Sequence, residues 1–427
     1  MRVLFSFLVL TLLVSSCSHL TGTSGRNPSS EDYPYALFSP TKGEEAFNEI
    51  YKNVRKAEKY VHATIYSWSD GDIDKAMLDA LKGGAQVRIV VHPPLANSAR
   101  TKSKIEKLEA AGAEVKIAKQ NMHEKFVIVD DVWMVNSSAN MSGGAKTRYS
   151  EAFVFHHKDS GEAQESILKD YRHEFTVLWN SGRDITTNGE ENAEALSDYT
   201  KKEGSTIDNT PTDNKNMALY SSSMNFTIKE NKPSSTAYKQ GKYINLTKRT
   251  GSNGKQTWYV RDLLISSIDN AKKNIYVNLN HFNIREVSDA LIRAVKRGVE
   301  VRLAVDNQEY KSKPNNKEMT PQFIKDWKAL PGNSKKEAPV RVKYYSHAPS
   351  PRHWLLNHHK YFVIDYNESG KDTILLAGSY NVSQNAEHKQ FDNIVVYQGV
   401  KYKTLYKSFI DEFEYLWSLN RDEDDKR

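Results

Sequence analysis

Two halves of the chain repeat the same order of elements, and this duplication constrains the fold more than any other feature of the sequence. In each half a helical pattern, an apolar strand, a second helix, a glycine and a second strand follow one another, and the glycines Gly84 and Gly298 are 214 residues apart. The same Glu-Phe dipeptide, beginning at Glu174 and at Glu412, ends each half at an offset of 238 residues. The second half therefore carries extra residues, chiefly a Lys-, Asn- and Pro-rich stretch at about 310–336, which we expect to be a loop or a lid.

Strands that alternate with helices of this length predict the α/β class. We expect two tandem α/β sandwich halves related by internal duplication, with an active site at their interface. The predicted halves are residues 33–182 and residues 217–420. Residues 183–216 are rich in Thr, Asn, Asp and Glu and nearly free of large apolar side chains, as polar linkers are, and residues 421–427 form a charged tail.

The composition is that of a globular chain with a mild positive charge. Of 427 residues, 38% are hydrophobic and 26% are charged, which excludes a wholly disordered protein. The formal net charge of +7 favours anionic partners such as phospholipid head groups or nucleic acid, without choosing between them. A single cysteine excludes an intrachain disulfide and a cysteine-based metal cluster.

The N-terminus has the pattern of a signal peptide: Arg2, an apolar run too short to span a membrane, and small residues. The one cysteine, Cys17, stands at the expected cleavage site, so residues 1–16 resemble a bacterial lipoprotein signal. The resemblance implies that Cys17 becomes lipidated and that residues 17–32 form a tether. An ordinary signal peptide and an uncleaved anchor are the alternatives. We therefore expect a lipid-anchored protein of the bacterial cell envelope, at the outer membrane or facing the periplasm if the cell is Gram-negative.

Each half also contains the pattern His-x-Lys-x4-Asp, followed by Ser-x-Asn. One such pattern is weak evidence, since about 0.06 copies are expected by chance in a chain of this composition. Two copies at equivalent positions of a duplicated chain, each with its Ser-x-Asn, are not plausibly accidental. The residues are His123, Lys125, Asp130, Ser138 and Asn140 in the first half, and His358, Lys360, Asp365, Ser379 and Asn381 in the second.

These residue types supply what the cleavage of a phosphodiester requires: a nucleophile, an acid for the leaving oxygen, and cations or hydrogen-bond donors around the phosphoryl oxygens. Alternate side chains of a strand face the same way, so His123 and Lys125 point to one side together, as do His358 and Lys360. Glu124 lies between the first pair and is expected to face the opposite way.

The paired motifs resemble those of the phospholipase D superfamily, over approximately residues 33–420. The resemblance implies a two-step displacement without a metal or other cofactor, in which one histidine forms a phosphohistidine and the other protonates the leaving alcohol. We assign His123 as the nucleophile and His358 as the general acid, because the N-terminal motif usually has that role in two-motif proteins of this kind. The phosphate ligands that the resemblance implies are Lys125, Lys360, Ser138, Asn140, Ser379 and Asn381. Asp130 and Asp365 complete the catalytic motifs, and we expect them to fix local structure rather than to touch substrate.

Each half also offers a carboxylate to orient its histidine. Glu151 lies 13 residues after Ser138, and Asp392 lies 13 residues after Ser379. In similar proteins a carboxylate at this position holds the ring nitrogen opposite the reacting one and raises the basicity of the ring. One departure from the family pattern is Ser137, where glycine usually precedes the Ser-x-Asn serine, and we expect it to crowd the backbone near the phosphate slightly.

The leading hypothesis is an envelope lipoprotein that hydrolyses phospholipids or transfers their head groups at a membrane surface. The alternatives are a metal-independent nuclease of the same superfamily, with nucleic acid as substrate, and a non-catalytic lipoprotein that binds anionic polymers or lipids. Because both motifs are in one chain, no dimer is needed to complete the site, and we expect a monomer with no obligate protein partner. The sequence leaves open which head group is used and whether it is hydrolysed or transferred.

Overall fold

The computed structural model of the protein describes residues 32–185, 216–306, 319–343 and 356–419, together with the backbone of residues 201–202 and 206–207. The predicted signal peptide, Cys17, the tether apart from its last residue, the charged tail, much of the predicted linker and part of the stretch at 310–336 lie outside these residues. Among the described residues, no helix combines the length and the apolar character that a membrane crossing requires.

The first half alternates strands and helices. In chain order its elements are β1 (Tyr35–Ser39), α1 (Gly43–Arg55), β2 (Tyr60–Ile65), α2 (Asp72–Lys82), β3 (Gln86–Val91), α3 (Ala99–Ala110), β4 (Glu114–Ile117), β5 (Asn121–Met122), β6 (Phe126–Val129), β7 (Trp133–Ser137), α4 (Gly143–Thr147), β8 (Glu151–His157), α5 (Glu162–Ser181) and β9 (Arg183–Asp184). They build one mixed sheet in the order β1-β8-β7-β6-β2-β3-β4-β9. Strands β2, β3 and β4 are parallel, whereas β6 is antiparallel to β2, so β6 begins at the edge of the sheet where β2 and β3 end.

The second half repeats this arrangement. Its elements, with those that precede it, are β10 (Lys201–Lys202), β11 (Thr206–Ile207), β12 (Met217–Ser221), β13 (Phe226–Glu230), α6 (Thr236–Lys239), β14 (Ile244–Lys248), α7 (Tyr259–Asn270), β15 (Asn274–Leu279), α8 (Arg285–Lys296), β16 (Glu300–Asp306), α9 (Thr320–Lys328), β17 (Val340–Lys343), β18 (Lys360–Ile364), β19 (Ile374–Gly378), α10 (Asn385–His388), β20 (Gln390–Phe391), β21 (Asn393–Gln398) and α11 (Lys403–Leu419). The main sheet has the order β12-β21-β19-β18-β15-β16-β17, which matches the first sheet strand by strand as far as β4. The predicted fold class, two tandem α/β halves, is confirmed.

The apolar pattern of the strands explains why each sheet is covered by helices on its outer face. In β2, Val61, Ala63 and Ile65 are buried in one core with side chains of α1, α2 and α3. In β15, Ile275 and Val277 are buried in the corresponding core with side chains of α7, α8 and α9. Burial of a large aliphatic side chain contributes on the order of 1.5–3 kcal/mol, so these alternating positions favour the strands over other local structures.

A third core joins the two halves. It contains Phe126 and Phe175 from the first half and Tyr361 and Phe409 from the second, all fully buried. Helices α5 and α11 contribute to this layer, and each also contacts the first strand of the opposite half: α5 contacts β12, and α11 contacts β1. The two halves therefore share one interior rather than standing side by side as separate domains.

Two segments differ from the sequence-based expectation. Residues 320–328, within the stretch predicted to be a loop or a lid, form α9, which packs Phe323 and Trp327 against α8 and follows β16 as α3 follows β3. Apolar side chains at helical spacing outweigh the polar composition of this stretch. The predicted linker also contributes strands: β9 pairs with β4, and β10 and β11 join β13 and β14 in a small sheet that has no counterpart among the described residues of the first half.

Candidate active site

The two motif histidines lie where the halves meet. Strand β5 pairs in parallel with β20 of the opposite half, and the backbone N–H of His123, just after β5, donates to the carbonyl of Phe391 at 2.9 Å. The second motif is anchored in the same way, because the N–H of His358 donates to the carbonyl of Ser150 at 2.9 Å. Phe391 directly precedes Asp392 in the sequence, and Ser150 directly precedes Glu151. This backbone pairing therefore brings each histidine to the carboxylate of the other half.

The orienting carboxylates are exchanged between the halves. Oδ1 of Asp392 lies 2.6 Å from Nδ1 of His123, and both carboxylate oxygens of Glu151 lie 2.8 Å from Nδ1 of His358. The prediction that each half orients its own histidine is wrong, because the segments that precede the two carboxylates pair across the interface. In both halves the carboxylate occupies Nδ1, so Nε2 is the ring nitrogen that is left to react.

The two motif serines hold the carboxylates rather than facing a phosphate. The hydroxyl of Ser138 donates to Glu151 at 2.6 Å and accepts from the backbone N–H of the residue after Glu151 at 3.0 Å. The hydroxyl of Ser379 likewise donates to Asp392 at 3.1 Å and accepts from the backbone N–H of the residue after Asp392 at 3.0 Å. Both serines are buried. The predicted role of Ser138 and Ser379 as phosphate ligands is therefore corrected to the positioning of the carboxylates.

The motif lysines are buried beside the histidines. Nζ of Lys125 donates to the carbonyl of His123, and Nζ of Lys360 donates to the carbonyl of His358 at 2.6 Å. Burial, reinforced by the positive charge of Lys360, lowers the pKa of Lys125 to about 7, and burial lowers the pKa of Lys360 to about 8. Because each cation is costly to keep charged in this interior, a bound phosphate would stabilise both of them.

Burial disfavours the charged form of both motif imidazoles. Burial, and then the charge of Lys125, lowers the pKa of His123 well below its ordinary value. Burial lowers the pKa of His358 to about 4, although the carboxylate of Glu151 opposes that shift. Burial also raises the pKa of Asp392 to about 7, against the opposing charge of Lys125. A neutral imidazole has a free electron pair at Nε2, which is the state that a nucleophile needs.

The two motif asparagines have side-chain oxygens that no described residue hydrogen-bonds. Asn140 and Asn381 follow β7 and β19, and their Oδ1 atoms are buried without a hydrogen-bond partner among the described residues. The backbone carbonyl of each accepts from the N–H two residues later, at 2.7 Å in both halves, which fixes the two turns alike. Because Oδ1 is an acceptor, only the Nδ2 group of each amide could donate to a phosphoryl oxygen. The assignment of both amides to the phosphoryl oxygens stays a prediction.

The motif aspartates lie at the opposite end of their strands from the histidines. Asp130, with φ +57°, follows β6 and accepts hydrogen bonds from the backbone N–H groups of residues 58–60 at 2.7 to 2.9 Å. Asp365, with φ +53°, follows β18 and accepts from the N–H groups of residues 272–273 at 2.7 to 3.1 Å. Short polar side chains tolerate this left-handed backbone. Each aspartate ties the start of β2 or β15 to a motif strand, which is a local structural role rather than a catalytic one.

An aromatic side chain packs against the first histidine. The ring of Tyr66 lies edge-on to His123 with 4.8 Å between the ring centroids, and Nζ of Lys125 lies 5.1 Å from the centre of the Tyr66 ring. His92 lies against the same tyrosine, with 4.5 Å between centroids. The motifs do not reveal these two residues. The available signal is that Tyr66 and His92 directly follow the parallel strands β2 and β3, at the sheet edge where α/β proteins bind ligands.

The counterparts of these two residues in the second half are polar. Asn280 and Asp306 stand where the first half has Tyr66 and His92, at the same offset of 214 residues. Nδ2 of Asn280 donates to the carbonyl of Asn357 at 3.0 Å, and the Asn357 N–H donates to Asp306 at 2.8 Å. These bonds fix the residue directly before the second motif histidine. The two halves are therefore alike in their motifs and differ in the residues around the motifs.

The motif strands also differ on the side away from the site. Glu124 is fully buried beside Glu174 of α5, on the opposite side of its strand from the catalytic pair. Its counterpart His359 places Nε2 3.0 Å from the carboxylate of Glu412 in α11. Because α5 and α11 both lie in the shared core, these two contacts join the motif strands to the interior that connects the halves.

The departure at Ser137 is accommodated without crowding the site. Ser137 is buried, and its hydroxyl donates to the carbonyl of Lys125 at 3.3 Å. At the counterpart position Gly378, a Cβ atom would collide with the backbone of Asn393. Only the second half therefore requires glycine before the motif serine.

The interface thus brings together two imidazoles, two buried lysine amino groups and two amides. This set can attack phosphorus, protonate a leaving oxygen and bind phosphoryl oxygens. In the part of the chain that the structure describes, no group of three or more His, Cys, Asp or Glu side chains is arranged to hold a metal ion.

A known family matches both halves of the chain. The sequence family described as cardiolipin synthase, PLD-like domain, matches residues 50–179 and residues 264–417, which together make up more than half of the chain. The chain belongs to the phospholipase D superfamily. Each matched segment contains one motif histidine and the carboxylate that orients the other, so the family match and the exchanged contacts describe the same site.

Relatives and solved structures agree with this assignment. A protein named phospholipase D from Rickettsia conorii is 29% identical over 136 residues, which are 31% of this chain and 65% of that protein, slightly less than two thirds of its length. A crystal structure of phosphatidylserine synthase from Haemophilus influenzae has a TM-score of 0.56 and 11% identity, over 91% of this chain and 87% of that chain. Polyphosphate kinase from Porphyromonas gingivalis has a TM-score of 0.52 and 13% identity, over 90% of this chain and 47% of that chain. At these identities the two structures show the shared fold alone.

Proposed function

We propose that the protein is a phosphodiesterase that hydrolyses phospholipids or transfers their head groups through a phosphohistidine intermediate. The observation that carries the proposal is the exchange of carboxylates: Nδ1 of His123 and Nδ1 of His358 are each held by an acid of the opposite half. Two reactive Nε2 atoms are thereby left at one interface. The family match of both halves and the similarity to a protein named phospholipase D support a phospholipid as substrate.

The proposed reaction has two displacement steps. In the first, Nε2 of His123 attacks phosphorus, the bond from phosphorus to the leaving oxygen breaks, and His358 gives its proton to that oxygen. In the second, His358 takes a proton from water or an alcohol, and the oxygen of that molecule displaces His123 from phosphorus. Water gives hydrolysis and an alcohol gives head-group transfer. The two motif lysines and the two asparagine amides bind the phosphoryl oxygens during both steps.

The electrostatics support His123 as the nucleophile and His358 as the acid. Glu151 presents both oxygens to His358 at 2.8 Å and opposes the lowering of its pKa. The pKa of His123 is lowered well below its ordinary value by burial and by the charge of Lys125. A bound phosphodiester adds a negative charge that raises the pKa of both rings, and the ring with the stronger carboxylate support takes up a proton first.

The proposed enzyme is distinguished from its rivals by one assay. The purified protein is given mixed phospholipid vesicles and plasmid DNA side by side, with EDTA present, and is compared with His123→Asn and with the matched control His157→Asn. His157 lies at the far end of β8 from the site. We expect head-group release or exchange in the wild type and in the control, and none in His123→Asn.

The other outcomes of this assay contradict the proposal in different ways. Cleavage of DNA without lipid turnover identifies a nuclease of the same superfamily. Binding of anionic lipid or DNA without turnover, unchanged in His123→Asn, identifies the non-catalytic lipoprotein.

We also propose that the protein is anchored in the bacterial envelope through a lipid on Cys17. The support is the sequence of residues 1–16, a signal-peptide pattern that ends at the one cysteine of the chain. An anchor would keep the cleft at a membrane surface, where phospholipid is the abundant phosphodiester. Labelling of expressing cells with radioactive palmitate is expected to mark the wild type and not Cys17→Ala. An unlabelled wild type contradicts the proposal.

A further inference from the structure

A second, basic cavity lies near the catalytic site and is not used by the mechanism. Its volume is about 480 Å³, and it lies between the end of β4, the end of α5 and the hairpin of β13 and β14 with α6. Among the described residues, the charged side chains that line it are the cations Lys119, Arg183 and Lys242, and Asn231 and Asn245 add polar groups. Cavities of about 300–1,000 Å³ are the usual size for small-ligand sites.

Within the part of the chain that the structure describes, the positive charge of this cavity has no acidic partner. No carboxylate lines it, and none of its three cations forms a salt bridge within the described residues. Lys119 donates to the side chain of Asn245 at 2.8 Å and to the carbonyl of Leu246 at 2.9 Å, both of which are neutral acceptors. Lys119 and Lys242 line the same cavity, and burial and the positive charge of Lys242 lower the pKa of Lys119. An anion is the missing partner.

Asp184, the carboxylate next to Arg183 in sequence, does not face the cavity. Asp184 follows Arg183 in β9, and neighbouring residues of a strand face opposite sides of the sheet. Asp184 is paired in register with Lys116, and both are buried. Arg183 is paired with Ile117 and is exposed at the cavity. The arginine therefore remains available to a ligand.

The cavity is close to the active site and built partly from a different segment. Lys119 precedes His123 by four residues, so their Cα atoms are at most about 14 Å apart. The motif residues do not line the cavity. Its outer wall, formed by residues 231–245, lies outside both segments that match the family, 50–179 and 264–417. The cavity is thus built partly from residues outside the two matched segments.

We propose that this cavity is a second anion site, which binds a phosphate group carried either by a free phosphate compound or by an anionic phospholipid. Two ammonium groups and a guanidinium match the several charged oxygens of a phosphate, and the guanidinium fork binds two of these oxygens at once. The neighbouring carboxamides provide further donors. Binding here does not require turnover at His123, so the inference stands apart from the proposed function.

Acylation footprinting of lysines in the full-length protein tests this inference. A water-soluble acetylating reagent modifies the lysines, and mass spectrometry reads the rate at each one, with pyrophosphate, dihexanoyl-phosphatidate or dihexanoyl-phosphatidylcholine present. Lys239, exposed on α6 and not part of the cavity lining, is the internal control. We expect a bound phosphate group to slow the modification of Lys119 and Lys242 about tenfold at a ligand concentration about ten times Kd, and to leave Lys239 unchanged.

Comparing the ligands distinguishes the two sources of phosphate. Protection by pyrophosphate alone identifies a free phosphate compound, protection by phosphatidate alone identifies a lipid head group, and either result supports the site. The double variant Arg183→Gln, Lys242→Gln is expected to lose the protection of Lys119, whereas Lys239→Gln keeps it, with thermal unfolding showing that both variants fold. Equal protection of Lys239, equal protection by phosphatidylcholine, or no protection by either anion overturns the inference. Because the readout is modification rather than turnover, an inactive enzyme in the lipid assay does not affect it.

Discussion

Replacement of Asp392 by asparagine removes the carboxylate that crosses from the second half to His123. The substitution keeps the shape of the side chain and its place beside Ser379 and Gln390, but the 2.6 Å contact with Nδ1 loses its charge. A hydrogen bond to a charged group contributes about 1.5–3 kcal/mol, and each 1.36 kcal/mol of barrier is a factor of ten in rate. We therefore expect kcat/KM to fall about 10- to 150-fold.

The assay measures head-group release from a natural phospholipid and, separately, nitrophenol release from the p-nitrophenyl ester of phosphatidic acid. Asp392→Asn weakens the nucleophile and is expected to slow both reactions. Glu151→Gln is the matched comparison, because it removes the carboxylate that holds His358. It is expected to slow the natural substrate but to spare the first burst of nitrophenol, since nitrophenolate leaves without needing a proton.

Urea denaturation of both variants shows whether a lost rate reflects lost folding. An Asp392→Asn enzyme with unchanged kcat/KM refutes the reasoning. A burst of nitrophenol that is lost in Glu151→Gln and kept in Asp392→Asn refutes it equally, because the roles of the two histidines would then be reversed.

Three further predictions concern a motif serine, a motif aspartate and a buried histidine outside the motifs. Ser379→Ala removes the hydroxyl that holds Asp392, and we expect kcat to fall about 2- to 13-fold with KM unchanged in steady-state assays. A rise in KM alone would indicate that the serine binds the phosphate instead. Asp130→Asn weakens the bonds to residues 58–60, so the free energy of unfolding in urea should fall by about 1–3 kcal/mol while the folded enzyme keeps its kcat; the reverse result contradicts a structural role. Burial lowers the pKa of His156 from 6.5 to about 4, so between these pH values the unfolded chain takes up a proton that the folded chain does not. Stability should therefore decrease by on the order of 3 kcal/mol as the pH falls from 6.5 to 4, and His156→Gln should lose that part of the acid sensitivity in urea denaturation; an unchanged pH dependence contradicts this account.

The catalytic core of the site could be predicted because its chemistry depends on residue types at strand spacing. His123 and Lys125 point the same way whatever the neighbouring structure, and the second copy at His358 and Lys360 doubles the evidence. The same periodicity places Glu124 on the far side of the strand, where the structure has it. Local spacing was sufficient for each of these inferences.

The partners of the histidines could not be predicted in the same way. A repeat shows that Glu151 and Asp392 are equivalent, but it does not show which histidine each one reaches. That choice depends on how the two halves dock, which is determined by distant side chains of the shared core such as Phe126 and Phe409. Because Ser138 and Ser379 hold these two carboxylates, their positioning role could not be predicted from the sequence either.

Segments outside the repeat were also beyond the sequence patterns. Strand β13 buries only Phe226 and Ile228, and such a short alternation does not stand out in a polar region. The small sheet that it forms with β14 completes the basic cavity beside Lys119, so that cavity could not be inferred from the sequence. Tyr66 and His92 could not be assigned to the site from the motifs, because the motifs describe what the halves share and these residues are where the halves differ.

The central claim is that His123 carries the phosphoryl group while His358 moves the protons. The most direct test incubates the enzyme with a short-chain phospholipid that is radiolabelled at phosphorus and has a p-nitrophenyl leaving group, stops the reaction in alkali, and maps the labelled peptide. The variant His358→Asn slows the second displacement, so the intermediate should accumulate in it. We predict label on the peptide that contains His123 in the wild type and in His358→Asn, and no label in His123→Asn. Label on the peptide that contains His358 would contradict the account.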